Sequence, residues 1–454
     1  MDTPATGERD SFTSKFGVIA AAAGSAIGLG NIWRFPYVTG ENGGGAFLFI
    51  YLLLVIAIGI PVMTSEFIIG RSAQKNPYGA FKLLAPGKPW YLIGLMGVSA
   101  AFMILAFYTT VAGWTLEYIY QSLTGNLSGK GDRELTDMFN SFLGSSFRPL
   151  IWFIMFMGFT ALIILSGVRR GIEKYTKILM PFLFVLLVIL CIRSVTLEGS
   201  GAGLKFLFRP DFSKINPKTI LEALGQAFFS LSIGMGTLIT YGSYIRKTEN
   251  LASSALFVVL ADTIIAIVAG IAIFPALFAL GGSPASGTGL VFIVLPGIFQ
   301  KLPFGEMFAL IFFVLLSIAA LTSTISVLEV IVAYLVEELN LTRRKATIAA
   351  TLSVSVLGMV TVLSFGSLSS IRLLGRNIFQ ILEYLTSNIM LPLGGLFIVL
   401  FIGWFFSPGL TKKELTNNGE LKGGYIPLFM FIVKFIAPVA IAMVFLYSLG
   451  ILKF

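Results

Sequence analysis

Residues 24–36 read Gly-Ser-Ala-Ile-Gly-Leu-Gly-Asn-Ile-Trp-Arg-Phe-Pro and lie within the first long apolar segment of the chain. Three glycines, a proline and an arginine are unfavourable inside a helix that crosses lipid, because they weaken or charge it. A break at that depth leaves backbone N–H and C=O groups without helical partners, which is tolerated only where protein, ions or a cavity satisfy them. The stretch therefore predicts a spanning helix that is interrupted at a functional position.

The whole chain has the composition of a helical membrane protein. Its 454 residues have a mean hydropathy of +0.90 and only 12% are charged, whereas soluble domains carry about 25% charged residues. We predict an all-α polytopic membrane protein, with one transmembrane domain over 1–454 and about eleven spans of the length that crosses a bilayer. The predicted spans are 12–37, 42–70, 90–123, 148–167, 172–195, 218–245, 251–280, 304–337, 343–365, 376–406 and 425–453.

Charged and reactive residues narrow the functional classes. Lysine and arginine are more numerous on one side of the predicted bundle, which predicts a cell-membrane protein with a cytoplasmic N-terminus and an external C-terminus. The net charge of +10 then sets orientation, and no nucleic-acid or protein partner is implied. With no histidine and a single cysteine, Cys191, histidine catalysis, histidine-ligated metals and an internal disulfide are excluded. An enzyme within the membrane is disfavoured, since no nucleophile is matched with a base.

A second interruption matches the first. Ala26–Gly30 (AIGLG) and Ser232–Gly236 (SIGMG) share the pattern small-Ile-Gly-large-Gly, and each opens a block of five predicted spans, 12–195 and 218–406, with an additional span at 425–453. Because five is odd, the second block crosses the membrane inverted. A single Gly-x-Gly pair more often marks close helix packing, but two matched breaks in inverted repeats point to the midplane site of a transporter.

Several sequence strings carry a resemblance to a known family. They are 24–36, Glu41–Phe47 (ENGGGAF), Gly225–Ser232 (GQAFFSLS), Thr240–Tyr244 (TYGSY) and Ala319–Ser323 (AALTS). Together they resemble the neurotransmitter:sodium symporter family and its leucine-transporter-like bacterial branch, above all the eleven-span transporters for several hydrophobic amino acids. The resemblance implies a leucine-transporter-type fold of two inverted five-span repeats, with discontinuous spans 1 and 6 and no catalytic residues.

The resemblance also implies two sites for co-transported Na+, a hard cation that takes oxygen ligands. The residues at the family's first site are Ala26, Asn31, Ser230 and Asp262, and those at its second site are Gly24, Ile27, Ala319, Thr322 and Ser323. An aspartate within an apolar span is a functional signal in itself, with a protonated structural aspartate as the alternative. For Thr322 and Ser323 the alternative is a hydrogen bond to the preceding helical turn.

Asp262 also bears on anion dependence. Chloride-dependent relatives bind chloride near the first sodium site, where this chain has Tyr51, Gln226, Ser230 and Ala266. A fixed carboxylate at Asp262 can offset the sodium charge without an anion. We therefore expect chloride-independent transport.

By the same resemblance, the substrate lies between spans 1, 3, 6 and 8. The residues expected to line its site are Ser25, Ala26, Gly28, Gly30, Ile104, Tyr108, Phe229, Ser230, Ser232, Met235, Ser323 and Val327. Backbone N–H groups near Gly28 and the hydroxyl of Tyr108 suit a carboxylate. Amine carriers of the family have an aspartate at the position of Gly28, so the glycine favours a substrate that brings its own carboxylate. We expect neutral hydrophobic L-amino acids, with the flexible Met235 adapting to several side chains.

Gates are expected on both sides of this site. Arg34 and Glu383 form the expected outer pair, above the aromatic lid of Tyr108 and Phe229. The residues of the expected inner gate are Arg9, Phe12, Ser243, Tyr244 and Glu337, with Arg9 and Glu337 as the ion pair. The alternative for such charges is snorkelling at a span end, above all for Glu337.

The start of span 5 has a glycine and a proline, Gly171 and Pro181, at a spacing that the family links to local unwinding near the second sodium site. Both residues weaken a helix, and a static kink is the alternative.

The expected function is sodium-coupled symport of neutral hydrophobic L-amino acids by alternating access. A proton-coupled or exchange carrier of the same fold is the main alternative. Such a carrier would not need Asp262, Thr322 and Ser323 together. A channel or sensor is disfavoured by the paired gates.

Overall fold

A computed structural model of the chain describes residues 11–284 and 287–452. These ranges are helical and contain no β-strand. Nine helices among them are long and apolar enough to cross a membrane, and the bent pair Lys15–Ala26 and Gly30–Glu41 makes a tenth span. The broken pair Pro217–Ser230 and Thr237–Gly242 lies where the sixth span is predicted. Every predicted span therefore corresponds to a helix or a broken helix pair.

The remaining spans are continuous in the structure. In chain order they are span 2 (Gly45–Ala73), span 3 (Tyr91–Leu123), span 4 (Arg148–Leu165), span 5 (Val168–Val195), span 7 (Leu251–Ala279), span 8 (Gly305–Glu338), span 9 (Arg343–Leu363), span 10 (Ile378–Phe405) and span 11 (Ile426–Ser448).

The largest differences from the predicted bounds are at spans 1, 5 and 11. Span 1 continues to Glu41 because the helical segment that starts at Gly30 makes a π-helical turn over Gly30–Arg34 and then continues through Pro36. Span 5 begins early, with a π-helical turn over Val168–Glu173. Span 11 ends at Ser448, five residues before the predicted 453, with Gly450 beyond it in the left-handed region at φ 72°.

Both predicted breaks are present. In span 1 the helix ends at Ala26, Ile27 is extended (φ −71°, ψ 104°), and the second helical segment starts at Gly30 with a bend of 50°. In span 6 the segment 231–236 is not helical, and Gly234 and Gly236 have φ values of 87° and 80°. At Gly234 a side chain would also meet the Leu391 carbonyl oxygen, so both backbone conformation and space require glycine there.

Spans 1 and 6 lie at the centre of the bundle, where span 8 packs along span 3 and against span 1. The apolar loop 281–303 contains a 3-10 turn, Gly287–Leu290, and a short helix, Val294–Gln300. Leu290 and Phe292 of this loop are buried, so the loop packs against the bundle.

Candidate functional site

A small cavity lies where the two broken spans face spans 3 and 8. Its volume is about 30 Å³, room for about two water molecules. It is lined by Ser25, Ala26, Gly28, Gly30, Ile104, Leu105, Tyr108, Phe229, Ser232, Met235, Ser323, Thr324 and Val327. All predicted substrate residues except Ser230 are in this lining, and Leu105 and Thr324 are added to it. A ligand larger than two waters has to displace some of these side chains.

The backbone at the first break is held by side chains. The N–H of Gly28 donates to Asn31 Oδ1 over 3.0 Å, and the N–H of Leu29 donates to the Tyr108 hydroxyl over 2.9 Å. A methyl group on Gly28 would lie 2.4 Å from Ser323 Oγ and 2.6 Å from the Tyr108 hydroxyl. The bare glycine is therefore what lets spans 3 and 8 approach the break.

The residues predicted for the first sodium site form one buried cluster. Asn31 Nδ2 donates to Asp262 Oδ1 over 2.8 Å and to Ser230 Oγ over 3.1 Å. Ser230 Oγ lies 3.0 and 2.9 Å from the two carboxylate oxygens of Asp262. Ser230 therefore belongs to this cluster and not to the cavity wall, while Ala26 lies in the wall beside it.

The surroundings of Asp262 are hydroxylic. Tyr51 places its hydroxyl 3.5 Å from Asp262 Oδ2, and Gln226 donates to the Gly30 carbonyl over 2.9 Å. Ala266, one turn further along span 7, is fully buried and adds no polar group. Asp262 is thus the acidic side chain in this group of residues, which the sequence analysis links to anion dependence.

The residues predicted for the second sodium site also meet. Thr322 Oγ1 lies 3.5 Å from the Ile27 carbonyl oxygen, 3.3 Å from that of Ile318 and 3.0 Å from that of Ala319. The Thr322 hydroxyl is therefore within hydrogen-bond distance of the preceding helical turn, and it also reaches the non-helical break of span 1. One hydroxyl proton can serve only one of these carbonyls.

Ser323 repeats this arrangement, with carbonyl oxygens of Ser25, Ile27 and Ala319 at 3.3 to 3.5 Å from its Oγ. Gly24 lies against Thr322, whose Cβ would be 3.4 Å from a methyl group at that glycine. The second cluster is therefore rich in oxygen acceptors and poor in protons, a donor set that fits a hard cation.

Glu66 on span 2 supports the second break. Its side chain is fully buried, and its Oε1 accepts the N–H of Gly234 over 2.7 Å. This carboxyl group thus satisfies backbone that the interruption of span 6 leaves without a helical partner.

The sequence profile of the sodium:neurotransmitter symporter family matches residues 9–141 and 133–453. The chain belongs to this family. A sodium-dependent transporter of Bacillus subtilis, YhdH, is 42% identical over 98% of each chain, and one of Haemophilus influenzae is 38% identical over 97% of this chain and 98% of its own. The crystal structure of MhsT in complex with L-phenylalanine has a TM-score of 0.89 at 47% identity, covering 97% of this chain and 100% of that one.

A more distant relative, the mouse sodium- and chloride-dependent GABA transporter 2, is 27% identical over 99% of this chain and 81% of its own. The protein is therefore a multi-pass, sodium-dependent transporter of this family, which co-transports Na+ with a small molecule, and it is not an enzyme. Its fold is the leucine-transporter type that the sequence predicts.

On the predicted outer side of the transporter, Arg34 stacks on Phe229. The guanidinium carbon is 4.7 Å from the ring centroid, so the ring separates the cavity from the arginine. Among the described residues, the ion pairs closer than 4.0 Å do not include Arg34 with Glu383. A cavity of about 80 Å³ adjoins Arg34 and includes Glu222 and Asn388 in its walls.

On the predicted inner side, an aromatic plug closes the bundle. Phe12 is 1% exposed and packs edge-on against Tyr241 and Tyr244, with ring centroids 5.8 and 6.0 Å apart. Ser243 lies between these tyrosines in the chain and donates to the Thr240 carbonyl over 2.5 Å. Three of the expected gate residues are thus together.

The expected ion pair of Arg9 and Glu337 stays a prediction, because only Glu337 is among the described residues. Arg9 lies outside the described residues, and Glu337 accepts from the N–H and Nδ2 of Asn76 over 2.9 and 3.1 Å. Tyr244 donates to Glu329 over 2.7 Å, and Glu329 binds Arg343 through both carboxylate oxygens at 3.0 and 2.6 Å.

Glu329 and Arg343 were missed by the sequence reasoning, as was Glu66. Each acidic residue lies in an apolar span, and intramembrane charges are rarely without a partner and a role. That signal was used for Asp262 and applies equally to the other two carboxylates.

The start of span 5 is helical in this structure. The π-helical turn over 168–173 leads into a helix that continues through Pro181. A methyl group on Gly171 would lie 2.2 Å from the Ile163 carbonyl oxygen, so the glycine permits a close approach to span 4. The predicted unwinding of this segment remains a prediction.

Proposed function

We propose that the transporter imports neutral, hydrophobic L-amino acids by sodium-coupled symport through alternating access. It does so as one transmembrane domain with repeats at 12–195 and 218–406 and an additional span at 425–453. The N-terminus is cytoplasmic and the C-terminus is outside in this proposal. The substrate occupies the central cavity, and two sodium ions occupy the two buried oxygen clusters.

The crowding of carbonyl oxygens around Thr322 and Ser323 carries the proposal. Two hydroxyl protons face four carbonyls, those of Ser25, Ile27, Ile318 and Ala319, so the two hydroxyls cannot serve all four at once. A sodium ion at this point supplies the missing positive charge. It would be held by the carbonyls of spans 1 and 8 and by the two hydroxyls, which ties the two halves of the molecule together.

The first cluster supports a second ion next to the substrate. Asp262 and Ser230 offer three oxygens within 3.0 Å of each other, and the Ala26 carbonyl and the substrate carboxylate complete the set. Asn31 would contribute its amide oxygen after the amide turns, since Nδ2 faces Asp262 in this structure. Sodium then completes the substrate site, which couples the two binding events.

The walls of the cavity support the substrate class. Ile104, Leu105, Met235 and Val327 form an apolar side, and there is no acidic side chain in the lining. An amine without a carboxylate would therefore lack a counter-charge. The L-phenylalanine bound to MhsT is a neutral hydrophobic amino acid of the same class.

Uptake into proteoliposomes tests this function. With an inward sodium gradient we expect accumulation of labelled leucine, phenylalanine or tryptophan, and loss of accumulation when potassium or choline replaces sodium. Uptake that ignores sodium replacement and follows a proton gradient or internal substrate would select the proton-coupled or exchange carrier. Uptake of amines or acidic amino acids alone would overturn the substrate class.

Chloride replacement tests the part played by Asp262. Replacing chloride with gluconate should leave wild-type uptake unchanged. Asp262→Asn should weaken apparent sodium affinity by about tenfold or more, because two unit charges about 4 Å apart at an effective dielectric constant of about 20 interact by roughly 4 kcal/mol. Asp137→Asn, at an exposed position of the helix Asp132–Gly144, is the matched control. Chloride-dependent wild-type uptake, or unaltered sodium affinity in Asp262→Asn, would refute the assignment.

A further inference from the structure

A large apolar groove lies at the start of span 3, far from the central cavity. Its volume is about 370 Å³. The residues that line it are Pro89, Trp90, Leu92, Ile93, Met96 and Phe397. Leu92 is 52% exposed, so the groove opens toward the surroundings of the bundle, which at a spanning helix are lipid.

Aromatic rings form the inner end of this groove. The Trp90 ring lies 5.2 Å from the ring of Phe401 and 5.4 Å from that of Phe405. Trp90 precedes the first turn of span 3, and Phe405 ends span 10. Tryptophan and its aromatic neighbours are thus at the level where a span meets the headgroup region.

Two lysines stand at the same end of the bundle. Lys88 is exposed one residue before the groove begins. Lys82 is exposed on the short helix Pro77–Leu84, and its Nζ lies 5.4 Å from the Tyr78 ring centroid. Tyr78 in turn packs against Tyr91, with centroids 5.7 Å apart, which places Lys82 beside the start of span 3.

Acidic groups near this corner are turned away from it. Glu337 and Glu338 at the end of span 8 accept hydrogen bonds from Asn76, which caps the short helix at the end opposite Lys82. The rim of the groove is therefore cationic while its walls are apolar.

We propose that this groove binds one membrane glycerophospholipid with an anionic headgroup. An acyl chain lies along Leu92, Met96 and Phe397, and the headgroup phosphate lies between Lys82 and Lys88. The lysine stems cover apolar surface while their ammonium groups remain at the headgroup level. The proposal is independent of the substrate and of the coupling ion.

The charge pattern favours a lipid over a second copy of the chain. In a two-fold contact the same patch is buried against itself, so four lysines would enter one interface without an acidic residue in the groove lining to pair with them. An anionic phospholipid instead complements both features, since its chains are apolar and its phosphate is negative. Each lysine near the headgroup contributes about a fivefold preference for an anionic over a zwitterionic lipid.

Native mass spectrometry of the transporter, equilibrated with equal amounts of phosphatidylglycerol and phosphatidylcholine in mild detergent, tests the proposal. We expect the wild type to retain one phosphatidylglycerol in preference to phosphatidylcholine, by roughly 25-fold for two lysines. Lys82→Gln with Lys88→Gln should lose that preference. Leu92→Trp with Met96→Trp narrows the groove and should lose the bound lipid of either type.

Lys345→Gln, at an exposed lysine at the start of span 9, is the matched control and should retain the wild-type preference. Sodium-dependent thermal stability of each variant reports whether it is folded. Equal retention of both lipids by the wild type overturns the proposal, as does an unchanged preference in the double lysine variant. A dimer that forms only while Leu92 and Met96 are intact would assign the groove to a second copy and overturn it too.

Discussion

Gly28 shows how much one missing side chain decides. A methyl group there would meet Ser323 Oγ at 2.4 Å and the Tyr108 hydroxyl at 2.6 Å. Both side chains are buried and line the cavity, so a methyl group would push them into the space that a ligand needs. The glycine therefore fixes the distance between the broken span 1 and spans 3 and 8.

Gly28→Ala should reduce substrate binding while leaving the protein folded. Overpacking of a tight site costs about 1–3 kcal/mol, which predicts a loss of apparent affinity of roughly fivefold to 150-fold in an equilibrium binding assay. Gly158→Ala is the matched control, because a methyl group at Gly158 in span 4 meets nothing within 4 Å. Wild-type affinity in Gly28→Ala would show that the break widens easily and that its spacing is not fixed by contact.

At this scale the sequence predicts residues that belong to motifs and misses those that act through distant partners. Gly28, Asn31 and Asp262 stand out because each is unusual in an apolar span. Leu105 and Thr324 are ordinary helical residues, and only the rotation of spans 3 and 8 brings them to the cavity.

At the scale of elements, the N-terminal segment is attached to the start of span 5. Glu173, 2% exposed, accepts from the Thr13 N–H over 2.9 Å and from Lys177 Nζ over 2.6 Å. Its Oε1 also accepts from the hydroxyls of Thr13 and Ser14. The segment that carries Phe12 into the inner aromatic plug is therefore held by Glu173, the last residue of the π-helical turn Val168–Glu173.

Glu173→Gln should loosen this attachment. Four groups donate to the two carboxylate oxygens of Glu173. Glutamine replaces one of these oxygens with an NH2 group, which is itself a donor, so at least one of the four donors loses its acceptor. Hydrogen exchange measured by mass spectrometry should be faster at residues 11–17 than in the wild type. Glu198→Gln, exposed beyond span 5, should exchange as the wild type does. Unaltered exchange at 11–17 in Glu173→Gln would mean that Phe12 alone holds the segment.

Element positions were predictable and their local geometry was not. Apolar length places each span within a few residues, because about 20 apolar residues are needed to cross lipid. The π-helical turns at Val168–Glu173, Leu385–Met390 and Phe401–Phe405 range from charged (VRRGIE) to apolar (FIGWF) and share no common sequence pattern. Their wider turns arise from packing between spans, which periodicity does not encode.

At the scale of the whole molecule, one polar cluster joins segments that are distant in sequence. Arg71 at the end of span 2 is 1% exposed and binds Glu414 Oε2 over 2.7 Å. Lys247, beyond span 6, binds Glu414 Oε1 over 2.7 Å and the Arg71 carbonyl over 2.8 Å. The helix Pro408–Leu415, between spans 10 and 11, is thereby fixed across the end of the bundle. No local pattern signals this cluster, because its members are more than 160 positions apart.

Glu414→Gln should lower the melting temperature of the purified transporter in detergent at pH 7, since removing one partner of a buried ion pair costs about 3 kcal/mol.

Burial tends to raise the pKa of Glu414, but the hydrogen bond from Lys247 and the charge of Arg71 outweigh it and hold the pKa below its usual 4.5. A lowered pKa in the folded state contributes stability above pH 4.5 that is lost as the pH falls through the folded value. The difference in melting temperature between the wild type and Glu414→Gln should therefore be largest at pH 7 and should disappear below pH 4.5. The control Glu420→Gln, at an exposed residue of the same loop, should have the melting temperature of the wild type at every pH. A difference in melting temperature that stays the same at low pH would mean that Glu414 acts through packing and not through its charge.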